Sequence, residues 1–357
     1  MAISSKFAGI LLIVILISFP SKTKGEYENN NTSTKCGSNS DRQGCTNNKN
    51  EALKLKLVAI VSILMTSMIG VCLPLFSRTI SALQPDTNLF VLVKAFASGV
   101  ILAMGYMHVL PDSFDCLRSN CLPENPWRKF PFTTFVAMIS TILTLSIDSY
   151  AMSCFKKKKL ENEDGNVGDY VQNNAKMESQ NGQVHGVVLK CDDKGSQLLR
   201  YRVVAQILEL GIIVHSIVIG LSMGASNNPC TIRPLVIAIC FHQLFEGMGL
   251  GGCILQADYG MRMKSMLVLF FSITTPFGIA LGIGLSNVYS ENSPTSLIVV
   301  GLLNACSAGL LNYMALVDLL AFDFMGTKLQ NNMKLQSWAY LSVLLGAGGM
   351  SIMAIWA

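Results

Sequence analysis

Two short polar insertions interrupt otherwise apolar stretches in the second half of the chain. They are His215-Ser216 within LELGIIVHSIVIGLSMGAS and His242-Gln243-Leu244-Phe245-Glu246 within IAICFHQLFEGMGLGG. His242 and Glu246 stand four residues apart, so on a helix they project from one face about 6 Å apart along the axis. One helix can therefore offer an imidazole nitrogen and a carboxylate oxygen to the same ion. His215 would add a second imidazole, and Ser216 and Gln243 neutral oxygens. Two histidines, one carboxylate and an open position suit Zn2+, and also Fe2+, Mn2+ or Co2+. An incompletely saturated set fits transport, because a closed shell of anionic ligands would hold the ion too tightly to release it.

Each insertion lies near the middle of an apolar stretch of about 22 residues, long enough to cross a bilayer. Ionisable side chains at that depth are costly and face the protein interior or a wet cavity. A lone histidine on an apolar helix face is more often a satisfied core residue. Two at matched depth in a membrane point to ligands instead. Further along the same reasoning, His108, Asp112 and Asp115 in HVLPDSFD could collect cations at an outer mouth by focusing the field there. The plain alternative is an interfacial helix end. Glu209 lies six residues, about 9 Å of axis, before His215. With Asp148 and Asp318 it could form a descending series of oxygen ligands toward an exit, unless those two aspartates are merely hydrated span ends.

The elements that must position these groups follow from composition. The chain has 357 residues, 51% of them hydrophobic and only 14% charged, against roughly 25% charged in a soluble domain. The net charge of +5 is small and scattered, which argues against a nucleic-acid partner and leaves the lipid bilayer as the principal one. The fold class is an all-α polytopic membrane protein. Residues 1–25 read as a signal peptide, with Lys6 before a short apolar run, and 26–56 as an extracytoplasmic segment carrying overlapping glycosylation sequons at Asn30 and Asn31. Transmembrane helices 1–3 are expected within 57–152, a disordered cytosolic loop at 153–202 and helices 4–8 within 203–357. The spans are expected near 57–76, 87–110, 132–152, 203–225, 232–254, 265–286, 296–320 and 337–357. Arg78, Lys156, Lys157, Lys158, Lys159, Arg200, Arg202, Arg262, Lys264, Lys328 and Lys334 fall in alternate loops, which the positive-inside rule makes cytosolic. The opposite loops carry only Arg118, Arg128, Lys129 and Arg233.

Small residues fill the spans. Gly220-x-x-x-Gly224 and Gly247-x-x-x-Gly251 allow close backbone approach and are expected to let spans four and five lie together. Pro74 and Pro276 could kink spans one and six. Cys36, Cys45, Cys116 and Cys121 fall in outer segments and could form two disulfides, with three connectivities open; Cys230 is also at an outer turn. No cysteine spacing suggests a structural zinc site. In the long loop, His185, Cys191, Asp192 and Asp193 could hold a metal transiently, against the plainer reading of ordinary linker composition.

The segments HVLPDSFD, HSIVIGLSMG, FHQLFEGMGLGG and LLNACSAGLLNYMALVDLLAFDF resemble plant members of the ZIP (Zrt- and Irt-like) family of zinc and iron transporters, over essentially all of residues 50–357. The resemblance implies eight helices in a 3+2+3 bundle, outer triplets related by a pseudo-two-fold, and passage of divalent metal into the cytosol by an elevator-like movement. It implies His215 and Ser216 as span-four ligands and His242, Gln243 and Glu246 as span-five ligands. Where some relatives carry a bridging carboxylate four residues after the span-four histidine, this chain has Ile219, so a mononuclear site is expected. Lys156 to Lys159 could serve as regulatory ubiquitination sites. The expected function is Zn2+ import, with Fe2+ or Mn2+ as further substrates; a primarily Fe2+ importer is the alternative, and an intramembrane zinc hydrolase or a non-transporting metal receptor the distant ones. No cofactor is expected beyond the transported metal, no enzymatic activity, a homodimer is compatible, and the plasma membrane or another membrane of the secretory route is the expected location.

Overall fold

Hydrocarbon offers the backbone no hydrogen-bond partner, so an apolar segment of spanning length has to satisfy its own amides as helix. The computed structural model describes residues 49–76, 87–171, 193–286 and 293–356. It contains eight helices long and apolar enough to cross a membrane. They are α1 (Lys49–Leu75), α2 (Asn88–Leu117), α3 (Phe132–Val171), α4 (Asp193–Ala225), α5 (Pro229–Gln256), α6 (Met261–Leu285), α7 (Pro294–Phe324) and α8 (Met333–Trp356). No strand occurs among the described residues. Helix starts are written locally. The side chains of Thr87, Asn228 and Ser293 accept from Phe90, Cys230 and Ser296 backbone amides at 3.3, 3.0 and 3.2 Å, and α5 and α7 have proline in the first turn, where its missing N–H costs nothing.

All eight expected spans are helices, and helical structure also enters the stretch 153–202 from both sides. Helix α3 continues to Val171 and α4 begins at Asp193. The run from Lys156 to Glu163 is rich in strong helix formers and lacks proline, so a helix leaving the membrane has no reason to stop there. The signal peptide, Asn30, Asn31, His185 and the side chains of Lys156, Lys157, Lys158 and Lys159 lie outside the described residues. Pro74 falls one residue before the end of α1, and Pro276 lies within a continuous α6.

Two spans carry π-helical segments, Gly105–Val109 in α2 and Met314–Ala321 in α7. In α2 the cause is Pro111, whose ring would clash with the carbonyl four residues earlier in a regular helix. The chain instead makes a wider turn in which Leu110 N–H reaches the Gly105 carbonyl. His108 and Asp318 both lie on these segments.

Backbone contact, allowed by glycine, decides which helices pair. A Cβ on Gly70 or Gly251 would collide with the Leu244 or Val71 carbonyl, joining α1 to α5. One on Gly224 or Gly282 would collide with the Ile279 or Leu221 carbonyl, joining α4 to α6. Gly99 and Gly346 meet the Val343 and Phe96 carbonyls between α2 and α8, and Gly309 meets the Ala137 carbonyl between α7 and α3. The glycines of α4 and α5 therefore do not pack these two helices on each other, as the motif spacing suggests; they face α6 and α1. The four tight pairs assemble into two groups, α1/α4/α5/α6 and α2/α3/α7/α8. Exchanging α1 with α6, α4 with α5, α2 with α7 and α3 with α8 reproduces the pairing, which is the signature of a pseudo-two-fold. Within the first group, the buried Lys56 of α1 donates to the Gly224 carbonyl at 2.7 Å, a cation placed at the negative end of α4.

Cysteine pairing departs from the simplest reading of the sequence. Cys116 carries a free thiol, while Cys121 and Cys230 are both in disulfides. Cys116 is half-buried on α2, with its Cβ against Gly301 of α7.

Gly224→Ala places a methyl against the Ile279 carbonyl and Gly282 Cα, and overpacking of this kind costs about 1–3 kcal/mol. Gly284→Ala meets nothing within 4 Å and gains helix propensity. Thermal unfolding of detergent-purified protein should show a lowered Tm for the first and an unchanged or raised Tm for the second.

Candidate metal centre

The polar insertions of α4 and α5 meet between the two helices. The imidazoles of His215 and His242 stand with ring centroids 5.8 Å apart. Two imidazoles on one tetrahedral ion with Zn–N bonds of about 2.0–2.1 Å would have centroids about 5 Å apart. The pair is thus within a small side-chain adjustment of sharing an ion. Glu246 follows one turn beyond His242 on the same face of α5. His215, Ser216, His242, Gln243 and Glu246 are all buried.

What marks the cluster is its hydrogen bonding. Neither ring nitrogen of His215 or His242 is in a hydrogen bond, nor is either Glu246 oxygen, Ser216 Oγ or Gln243 Nε2. The Ala238 carbonyl, one turn earlier, lies beside the His242 ring. Ser67 and Ser98 show the ordinary fate of a serine in a membrane helix, donating to the carbonyl four residues back at 2.7 and 2.8 Å. Ser216 does not follow them. A buried polar group without a partner costs about 1–3 kcal/mol, and several together on one spot mark it as the candidate metal centre. Among the described residues, no three histidine, cysteine or carboxylate side chains converge closely enough to hold an ion as they stand. The donor set is open, with soft movement of the Glu246 and histidine rotamers left to close it.

The flanking layers are apolar. Toward the α4 C-terminus, Ile219 packs with Ala59, Ile63, Met223, Ile239 and Ile279, so the place of a bridging carboxylate is filled with aliphatic side chains. Toward the opposite end, Leu208, Ile212, Leu250, Ile254, Met314 and Leu319 belong to a larger cluster that spans both helix groups.

The outer-mouth residues divide. Asp112 and Asp115 are exposed at the end of α2. His108 turns inward from the π segment, with Nε2 buried and unpartnered, and is within electrostatic range of both His215 and His242. It belongs with the buried pair as much as with the mouth. At the inner end, Asp148 and Asp318 are not hydrated span ends: both are buried, and they interact across α3 and α7. Tyr313 donates to Asp148 Oδ2 at 3.2 Å, leaving Asp148 Oδ1 and both Asp318 oxygens unpartnered. Glu209 is buried on α4 with Oε1 unpartnered, near Tyr259 rather than with that pair.

Sequence reasoning missed Thr275 and Tyr313. Thr275 of α6 donates to Gln243 Oε1 at 3.5 Å, a long bond that orients the amide of a candidate ligand. Its signal was the polar Thr274-Thr275-Pro276 interruption of an apolar span. Tyr313, beside Asn312, interrupts α7 in the same way.

A family model described as ZIP zinc transporter matches residues 53–354. The chain is 58% identical over 336 residues to "Fe(2+) transport protein 1" of Oryza sativa subsp. japonica, covering 90% of each chain. It is 57% identical over 336 residues to "Probable zinc transporter 10" of Arabidopsis thaliana, covering 90% of this chain and 92% of that one. It is 54% identical over 361 residues to "Zinc transporter 7" of Arabidopsis thaliana, covering 99% and 98%. Relatives named for iron and for zinc are thus almost equally similar.

Co2+ bound by the purified protein should show the visible absorption of a low-coordinate nitrogen and oxygen site. His215→Ala or His242→Ala should weaken this binding at least about ten-fold, and Thr275→Val, which frees the Gln243 amide, by about ten-fold. Unchanged titrations in all three would remove the metal from this cluster.

Proposed function

The chain belongs to the ZIP family of zinc transporters, and from that premise we propose that it carries a divalent transition metal, Zn2+ first and Fe2+ or Mn2+ as further substrates, across its membrane into the cytosol. The observation that carries this reading is the set of buried, partnerless donors on His215, His242 and Glu246, with Ser216 and Gln243 beside them. Imidazole nitrogen favours borderline metals over Ca2+ and Mg2+, which prefer shells made wholly of oxygen. Similarity to relatives named for Fe(2+) transport keeps ferrous iron among the substrates.

In this reading Asp112 and Asp115 draw cations to the outer end of α2, and His108 hands the ion inward. The metal then exchanges water for the ligands of α4 and α5. Release follows the Glu209 and Asp148/Asp318 oxygens toward the end where lysine and arginine collect. The two-group packing supports a movement of α1/α4/α5/α6 against α2/α3/α7/α8, because the tight backbone contacts lie within each group. The filled Ile219 layer supports a single tightly held ion. The protein is a transporter rather than a hydrolase, and Glu246 serves as ligand rather than as the base for a catalytic water. A multi-pass membrane protein with a signal peptide is routed to the secretory pathway, and we place this one in the plasma membrane. Helices α3 and α8 bury least of their length, and their apolar faces are the ones that meet lipid or a second copy in a homodimer.

Uptake of labelled Zn2+ and Fe2+ by transport-deficient yeast tests the reading. His215→Ala and Glu246→Ala should each lower uptake at least about ten-fold, the loss expected when a buried ligand is removed. Asp112→Ala should raise the apparent KM with little change in maximal rate. Full uptake by both ligand variants at wild-type surface abundance would refute the site.

A further inference from the structure

Lys94 sits six residues into α2, inside the bundle, with 4% of its surface exposed. Its ammonium lies 3.0 and 3.1 Å from the two oxygens of Asp323 at the end of α7, within its own helix group. It also donates to Gln256 Oε1 at 3.2 Å, at the end of α5 in the other group. Beside it Tyr201 of α4 meets Phe322 of α7 edge-on, ring centroids 5.0 Å apart, and the ammonium stands 5.9 and 6.0 Å from these two rings. The Arg200 guanidinium covers Phe322 at 4.6 Å.

These residues come from the starts of α2 and α4 and the ends of α5 and α7. All four ends lie on one side of the bundle, which the positive-inside rule assigns to the cytosol. A buried ammonium is costly even when paired, and a pair made only with Asp323 would brace one group. The bonds to Gln256 and the Tyr201 ring cross to the other. Arg202 ties the start of α4 to the α5–α6 turn through the Ala257 carbonyl at 2.9 Å, and Tyr259 Oη returns a bond to the Arg202 carbonyl at 2.8 Å. Tyr201 and Gln256 are therefore held to one another and move together.

We propose that Lys94, Gln256, Asp323, Tyr201 and Phe322 form a latch that closes the cytosolic end of the seam between the two helix groups, and that the transported metal leaves only when this latch opens. The proposal rests on the transport reading above. The crossing contacts within the latch are few: one charge-assisted hydrogen bond, one ring contact and two cation–ring contacts. Their removal shifts an equilibrium by tens of fold rather than millions, which suits a gate that opens in every cycle. Lys94 is also within electrostatic range of Asp318. Its fixed positive charge already counters the inner carboxylates in the closed state. A divalent ion arriving at them repels the ammonium and weakens the latch, coupling the cargo's arrival to its exit.

Tyr201→Cys with Phe322→Cys, bridged by a short bifunctional thiosulfonate, tests this in cells. Bridging should lower Zn2+ uptake at least ten-fold and reduction should restore it, with each single variant unaffected by the same treatments. Independently, Cys253 is a native thiol, 1% exposed, within electrostatic range of Lys94. Its maleimide labelling, followed by peptide mass, should quicken about five-fold in Gln256→Ala, which loses one crossing hydrogen bond. Undiminished uptake by fully bridged protein, or equal Cys253 labelling in Gln256→Ala and wild type, overturns the latch. If the double variant is inactive before bridging, the labelling rates decide. Absence of uptake by the wild type refutes transport itself; uptake that survives bridging refutes only the latch.

Discussion

A polar group inside a bilayer must find a partner within the protein, because the surrounding hydrocarbon offers none. Most of this chain obeys that constraint. Serine and threonine hydroxyls such as those of Ser67, Ser98 and Thr144 bond back to their own helices, and the buried Lys56 and Lys94 are each bonded across helices. The donors of His215, Ser216, His242 and Glu246 break it together, in one place. In the reading proposed above an ion periodically satisfies them, and it can leave only if they are not satisfied too well. Partial coordination is what distinguishes a transport site from a structural one.

The rest of the architecture can be understood as positioning that set. Close backbone contacts through glycine join α1 to α5 and α4 to α6, and so bind both ligand helices into one group without packing the ligand helices tightly on each other. Direct glycine contact between α4 and α5 would draw the two polar insertions still closer together. The other group contributes its chemistry from π segments, where the widened turn redirects His108 inward from α2 and sets Asp318 opposite Asp148. Such segments forfeit regular hydrogen bonding and recur where a side chain has to be aimed. In α2 the proline that forces the turn is three residues from the histidine it redirects.

Several features are legible in the sequence alone. Span number, span type and the matched depth of His215 and His242 follow from hydropathy and from the expense of burying charge. The i, i+4 relation of His242 and Glu246 follows from helix geometry alone. Other features were not. Gly220-x-x-x-Gly224 announces a close neighbour but not which one, since any helix with a bare backbone stripe can accept it. Asp148 and Asp318 sit near span ends, and sequence position cannot tell a hydrated carboxylate from one covered by a neighbouring helix. Cys116 looked like its neighbour Cys121, yet one is free and the other bonded. Half a turn of α2 separates the bundle side from the loop that follows.

By itself, then, the sequence determined the elements and the candidate ligand types, because helix formation in lipid and the chemistry of imidazole and carboxylate are local properties. Only the tertiary structure decided the partners. It set α4 against α6 and α5 against α1, put His108 within electrostatic range of the buried pair, set Asp148 within range of Asp318 and placed Lys94 across the seam. Those outcomes depend on which helix surfaces meet at long range, and a period read along one chain segment carries no information about the segment it will face.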